Sequence, residues 1–379
     1  MSSSFDKVKS WIISSGLYIN ELNNENYGAV HSYYDIKSRE YGFLYPEITG
    51  YFLSVIRFLY QFEKNKDYLK MAESSANWLI GIYDKYGGII MGIDADTSKR
   101  KSAFSFDTAI CAKGLIDCYL ITKKEIYLAH AESLVNWLLN GAIEQDGTVK
   151  PYKNLETQDF MNTGDVWYRK KGCLHIKTAI PLFQLYQLRN RSELLEAADK
   201  ISNAYTRFHK SDGSFSLHEN SDVVNLHTQC YAMEGLLYAF SMTKNEVYLE
   251  SCKKAIEWSI KKIENDGSIR LWHGVRYQSK ASYPIAQLVR LMILIDSFEK
   301  NSKYKSQIDK LHSFLLTMQV LDGDKKTSGG FIEEIYKSFT GWKKKQRLIS
   351  WGSMFALQCL KWYDMSNELN FNSSIEFIY

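Results

Sequence analysis

The chain has no uninterrupted apolar run of about 18 or more residues, so no stretch of it reads as a membrane-spanning helix. It also lacks a signal-peptide layout. Met1-Ser2-Ser3-Ser4-Phe5-Asp6-Lys7 has no basic start leading into an apolar run and a small-residue cleavage site, and a cytoplasmic location is expected. There is no CxxC pair. The six cysteines (Cys111, Cys118, Cys173, Cys230, Cys252, Cys359) fit neither a disulfide framework nor ligand spacing, and buried thiols are expected. Cys173 with His175, and His227 with Cys230, could ligate a metal only in combination across distant segments, so neither metal nor cofactor is expected. A phosphate-cradling glycine loop is missing. Charge of one sign is scarce too, with a net +4 over 379 residues. No basic run alternates with aromatics, which argues against nucleic acid as a partner. Lys343-Lys344-Lys345 and Lys99-Arg100-Lys101 read as solvated loops able to attract an anionic substrate.

What the chain does have is repetition, about every 55–60 residues. Asp146-Gly147-Thr148, Asp212-Gly213-Ser214 and Asp266-Gly267-Ser268 each end one helical stretch and open the next, with weaker marks at Gly87-Gly88 and Gly329-Gly330. Such a period points to stacked supersecondary units. After each mark comes an irregular, aromatic-rich segment, then an apolar helix, a short polar break and an amphipathic helix. The apolar helices begin near Glu47, Asp107, His175, His227, Tyr283 and Trp351, and are apolar or small around most of their circumference, as expected of helices buried on several sides. The second helices carry a charged face. Tyr68–Leu79, Tyr127–Leu138 and Tyr248–Trp258 nearly superimpose, and their apolar residues recur at helical spacing. Breaks such as Lys64-Asn65-Lys66-Asp67 are short enough for antiparallel neighbours. Six inner helices are followed by only five outer ones. The amphipathic stretch from about Phe5 to Leu22 can supply the sixth and close a ring, removing the apolar ends that an open solenoid must cap. The fold expected is all-α, an (α/α)6 toroid filling residues 1–379 as a single domain, with strands confined to short pieces after the turns.

Aligning the six units on their inner-helix starts puts Glu47, Asp107, His175, His227, Tyr283 and Trp351 at equivalent positions. All inner helices then run the same way, so these side chains should meet at one mouth. Two carboxylates, two imidazoles and two aromatics at one level are more than packing needs, although an acidic residue at a helix start is also favoured by the helix dipole. Asp107 and Glu47 suit acid/base work on a glycosidic bond. His175 and His227 could bind substrate or transfer protons, and with Tyr283 could act as bases beside a carbonyl. The loops entering this mouth add Tyr45, Trp167 and Trp272, which with Trp351 offer flat platforms for sugar faces, and Arg169 and Arg276 placed to meet acidic groups. Asp94-Ala95-Asp96-Thr97 is faintly similar to the acidic motif of terpene cyclases, but reads as a turn.

The six-hairpin organisation resembles that of unsaturated glucuronyl and rhamnogalacturonyl hydrolases and, equally at the level of fold, of N-acylglucosamine 2-epimerases. Tyr45-Pro46-Glu47-Ile48-Thr49-Gly50-Tyr51 and Phe106-Asp107-Thr108 also resemble pieces of bacterial toroid proteins of unassigned reaction that are associated with polysaccharide genes. The resemblance to the hydrolases implies an Asp near an inner-helix start, best matched by Asp107 and next by Glu47. The resemblance to the epimerases implies a pair of His on opposite sides of the sugar, a part open to His175 and His227. The reading that emerges is a glycan-processing enzyme cleaving a glycosidic bond in an acidic or modified oligosaccharide. An epimerase or lyase, and a toroid that binds a glycan or protein without catalysis, are the alternatives.

Overall fold

In the computed structural model, residues 3–93 and 101–379 are described. Asp94-Ala95-Asp96-Thr97 and most of Lys99-Arg100-Lys101 therefore lie outside the described residues. The inner helices are α2 (Pro46–Glu63), α4 (Ser105–Thr122), α6 (Ala179–Arg189, preceded by a 3-10 turn at Cys173–Thr178), α8 (Leu226–Thr243), α10 (Ser282–Glu299) and α12 (Ser350–Asp364). The outer helices are α3 (Lys66–Tyr86), α5 (Glu125–Trp137), α7 (Ser192–Thr206), α9 (Glu246–Ile260), α11 (Lys305–Leu316) and α1 (Ser4–Ser14). Each inner helix packs on the next, α12 packs on α2, and α1 packs on α12. The ring is thus closed by the N-terminal helix, as the uneven helix count predicts. In α4 every residue from Ser105 to Cys118 is buried, which is why its sequence shows no polar face. No described helix is long and apolar enough to cross a membrane, and all six cysteines are free and buried.

The repeat has a packing cause. In each Asp-Gly turn the Asp side chain accepts from the backbone two residues on, as Asp146 does from Thr148 at 2.9 Å. The glycine has a positive φ (85° at Gly147), and a Cβ there would lie 2.4 Å from the Lys200 carbonyl oxygen of α7. Gly213 meets Lys254 of α9, and Gly267 meets Lys310 of α11, in the same way. Each turn therefore docks on the outer helix of its own unit, and only glycine allows that approach. Five inner helices end alike, on a non-glycine residue in the left-handed region: Lys64, Lys123, Asn190, Lys244 and Lys300. Each costs about 1–2 kcal/mol of backbone strain, accepted because it folds the outer helix back at once.

Eleven short strands among the described residues form small sheets in the segments that precede the inner helices. Strand β1 (Tyr33–Asp35) pairs with β11 (Arg347–Ile349), joining the first and last units, and the Arg347 guanidinium sits 3.8 Å from the Tyr33 ring centroid. The opposite end of the ring is filled by residues 371–379. Tyr379 is wholly buried there, its hydroxyl donating to the Met354 carbonyl at 2.8 Å.

Candidate active site

One cavity of about 280 Å3 opens at the end of the ring where the inner helices begin. Its wall includes Tyr45, Glu47, Asp107, Trp167, His227, Tyr283 and Trp351. Five of the six aligned helix-start residues thus line one cavity. Glu47 follows Pro46 in the first turn of α2, and Asp107 lies in the first turn of α4. Both helices therefore direct the positive ends of their dipoles at the cavity.

The carboxyl groups are nearly out of water, with Glu47 8% and Asp107 4% exposed. Neither forms an ion pair among the described residues, and Asp107 Oδ2 is buried with no hydrogen-bond partner among them. Burial pushes the Glu47 pKa up to about 7, against a hydrogen bond from the Tyr45 hydroxyl and the charge of Lys177, which hold it down. Burial also pushes Asp107 well above the usual carboxylate range, and the neighbouring Glu47 charge pushes it further. Burial thus favours the protonated form of both carboxyls, and the Glu47 charge favours it further at Asp107.

His227 completes the polar part of this wall. Its ring packs 4.2 Å from Tyr231 and 4.6 Å from Tyr283, centroid to centroid. Burial pushes its pKa down to about 3, so it stands neutral. The rest of the wall is apolar or aromatic: Phe43, Ile48, Met91, Phe104, Phe106, Pro151, Tyr168, Leu174 and Tyr231.

Four candidates lie elsewhere. His175 falls in the 3-10 turn, where Leu174 takes the place at the wall. Its ring is buried between Phe106 and Tyr205, neither nitrogen has a partner among the described residues, and burial pushes its pKa down to about 3. Arg169 lies behind the wall, 4.5 Å from the Tyr152 ring centroid and 5.7 Å from that of Phe104. Trp272 pairs with Asn225 in the two-stranded ladder before α8, and Arg276 is exposed in the following loop. Neither lines the cavity. The described residues hold no group of three or more His, Cys, Asp or Glu arranged to bind a metal ion.

Beneath the cavity lies a charged layer. Glu234, wholly buried on α8, pairs with Lys177 at 2.6 Å and Arg290 at 2.5 Å. The Lys177 ammonium lies 4.9 Å from the Tyr51 ring centroid and 4.4 Å from that of Tyr231, and burial pushes its pKa down to about 8. Deeper still, Asp117 joins Arg57 at 2.8 Å and Lys113 at 2.7 Å. A lone charge inside an otherwise apolar helix, such as Glu234 in Cys230–Leu236 or Arg290 in Ala286–Met292, was the available signal, because a buried charge demands a partner.

No family model and no curated protein sequence matches the chain. Solved structures do. A cellobiose 2-epimerase from Bacillus thermoamylovorans B4167 matches with TM-score 0.76 at 14% identity, over 93% of this chain and 95% of that one. An unsaturated glucuronyl hydrolase specific for heparin matches with TM-score 0.72 at 12% identity, over 97% and 98%. A D-mannose isomerase matches with TM-score 0.75 at 10% identity, over 97% and 100%. The fold is the (α/α)6 toroid. It is shared across nearly the full length of enzymes whose names give three different reactions, so the reaction has to be argued from the site.

Proposed function

We propose that the protein is a carbohydrate-processing enzyme that cleaves a glycosidic bond in the mouth cavity, with Asp107 as the acid and Glu47 as its partner carboxylate. The observation that carries this reading is the pair itself: two buried carboxyl groups, neither ion-paired among the described residues, facing one aromatic cavity and both held above the usual carboxylate range by burial. Tyr45, Trp167, Tyr283 and Trp351 offer flat faces for a sugar ring. His227 stands at the rim of the reacting centre, within reach of a sugar hydroxyl. Arg169 and Arg276 do not line the described wall. A second reading, a sugar epimerase, draws on the epimerase among the matching structures and on His227 beside Tyr283. It loses the His pair, since His175 lies behind the wall.

The test is a panel of p-nitrophenyl glycosides and unsaturated-uronide disaccharides, run with wild type and Asp107→Asn, together with calorimetric binding. Asp107→Asn should lower kcat/KM by roughly 10²–10⁴-fold while binding is retained. Equal turnover by Asp107→Asn overturns the assignment. Sugar binding without turnover by wild type makes the toroid a binding module. Solvent deuterium in a recovered, unhydrolysed sugar makes it an epimerase.

A further inference from the structure

The imidazole at the cavity is held from behind by a chain of groups whose proton positions can be worked out one at a time. Glu234 comes first. Buried between Lys177 and Arg290, it takes a donor on each oxygen, Lys177 Nζ on Oε2 and Arg290 Nη2 on Oε1, and so faces its neighbours as an acceptor. The Gln287 side-chain amide reaches Glu234 Oε1 at 3.1 Å, so the group facing it is the NH2. The Gln287 carbonyl oxygen then faces the other way and meets His227 Nδ1 at 2.5 Å. A carbonyl oxygen cannot donate, so Nδ1 carries the hydrogen. A neutral imidazole has one N–H, which leaves Nε2 bare, and Nε2 has no partner among the described residues. Little in this chain can turn. Arg290 also donates to Gln358 at 2.5 Å and to the Tyr379 carbonyl at 3.1 Å.

We infer that Gln287, oriented by Glu234, is a positioning residue that fixes His227 as the Nδ1–H tautomer, presenting Nε2 to the cavity as an acceptor for a substrate hydroxyl. The site then has a defined polarity. Asp107 offers a proton, and His227 offers only a lone pair. A ligand seated on the aromatic wall places a hydroxyl against His227, so replacing that hydroxyl with hydrogen removes a bond the site cannot replace. The hydroxyl part of this inference rests on the reading that a sugar occupies the cavity, whereas the tautomer does not.

The experiment is long-range 1H–15N NMR on the full chain labelled with [15N]histidine, the His227 signals being identified by their loss in His227→Gln. Wild type at neutral pH should show a protonated Nδ1 and a bare Nε2, and Gln287→Met should turn this single form into a tautomer mixture. Gln287→Met should also lower kcat/KM by ~10-fold on any glycoside that wild type cleaves, the loss expected for one hydrogen bond. An Nε2–H form in wild type overturns the inference, even if Gln287→Met fails to fold. So does a single unchanged tautomer in a folded Gln287→Met. Cellobiose added to Asp107→Asn should move the Nε2 resonance. An unmoved resonance beside the expected tautomer removes the sugar-hydroxyl role and leaves the positioning role standing.

Discussion

Replacing Glu47 by Gln should make the protein more stable at alkaline pH, and the gain should disappear in acid. Glu47 is 8% exposed, and burial raises its pKa from 4.5 to about 7. A raised acid pKa means that the folded state holds the proton more tightly than the unfolded state. Folding therefore loses free energy as pH rises from the unfolded pKa through the folded one. At about 1.4 kcal/mol per decade of proton concentration, the loss reaches about 3 kcal/mol above neutral pH. Glutamine does not ionise and escapes this loss. Unfolding 379 residues carries an entropy of roughly 0.8 kcal/mol per degree, so 3 kcal/mol corresponds to ~4 °C in Tm.

The measurement is thermal unfolding of wild type and Glu47→Gln by scanning calorimetry, at matched ionic strength, from about pH 4.5 to about pH 8. The Tm difference should be small at the acid end, open through the range between, and level off above neutrality in favour of the variant. Asp107 should add to the effect, because removing the Glu47 charge removes one of the two causes of its raised pKa. A pH-independent difference, or a wild type more stable than the variant at about pH 8, would refute the argument that Glu47 is a buried, unpaired carboxyl. The same variant should be inactive, so stability gained and turnover lost would come from one group.

Three further outcomes follow from the same structure. Tyr45→Phe removes the hydroxyl bond that lowers the Glu47 pKa, so the Glu47-controlled limb of the kcat/KM profile should move to higher pH, and an unmoved limb would separate the two groups. Glu234→Ala leaves Lys177 and Arg290 buried without their counter-charge and should cost about 3–5 kcal/mol in urea unfolding; a loss below about 1 kcal/mol would mean that the network relaxes freely. Gly114→Ala puts a Cβ 2.6 Å from the Gly50 carbonyl oxygen where α2 crosses α4, and should cost about 1–3 kcal/mol by thermal unfolding, whereas a neutral result would show that the two helices can separate.

The ring was legible in the sequence because its packing repeats a residue requirement. Gly147, Gly213, Gly267 and Gly329 are needed where a Cβ would strike an outer-helix carbonyl, so the punctuation recurs with the structure that demands it. The placing of five helix-start residues around one cavity followed from the same register. His175 broke it because the third inner helix begins as a 3-10 turn, in which successive side chains advance by about 120° rather than 100°. Pro181 was the available mark. A helix continuous from Cys173 would need an N–H at that position, and proline has none. The Lys177–Glu234–Arg290 layer was harder to read because Lys177 leaves the register: Glu234 and Arg290 each stand seven residues beyond the aligned His227 and Tyr283, whereas Lys177 stands two beyond His175, in the 3-10 turn.

That layer changes how the mouth should be understood. An aromatic cup holding two carboxyl groups would, by burial alone, drive both toward permanently protonated forms, which could donate protons but not take them back. Lys177 sits under the cup, against the Tyr51 and Tyr231 rings, and its charge acts on Glu47 in the opposite direction from burial. Glu234 keeps that ammonium in place, and the same carboxylate orients Gln287 behind His227. One buried carboxylate thus bears on both sides of the cavity. Through Lys177 it keeps Glu47 titrating near neutral pH, and through Gln287 it sets which nitrogen of His227 is bare. A hydrophobic floor of equal volume could have held the ring together equally well, but it would have left the mouth with two acids and an unoriented imidazole.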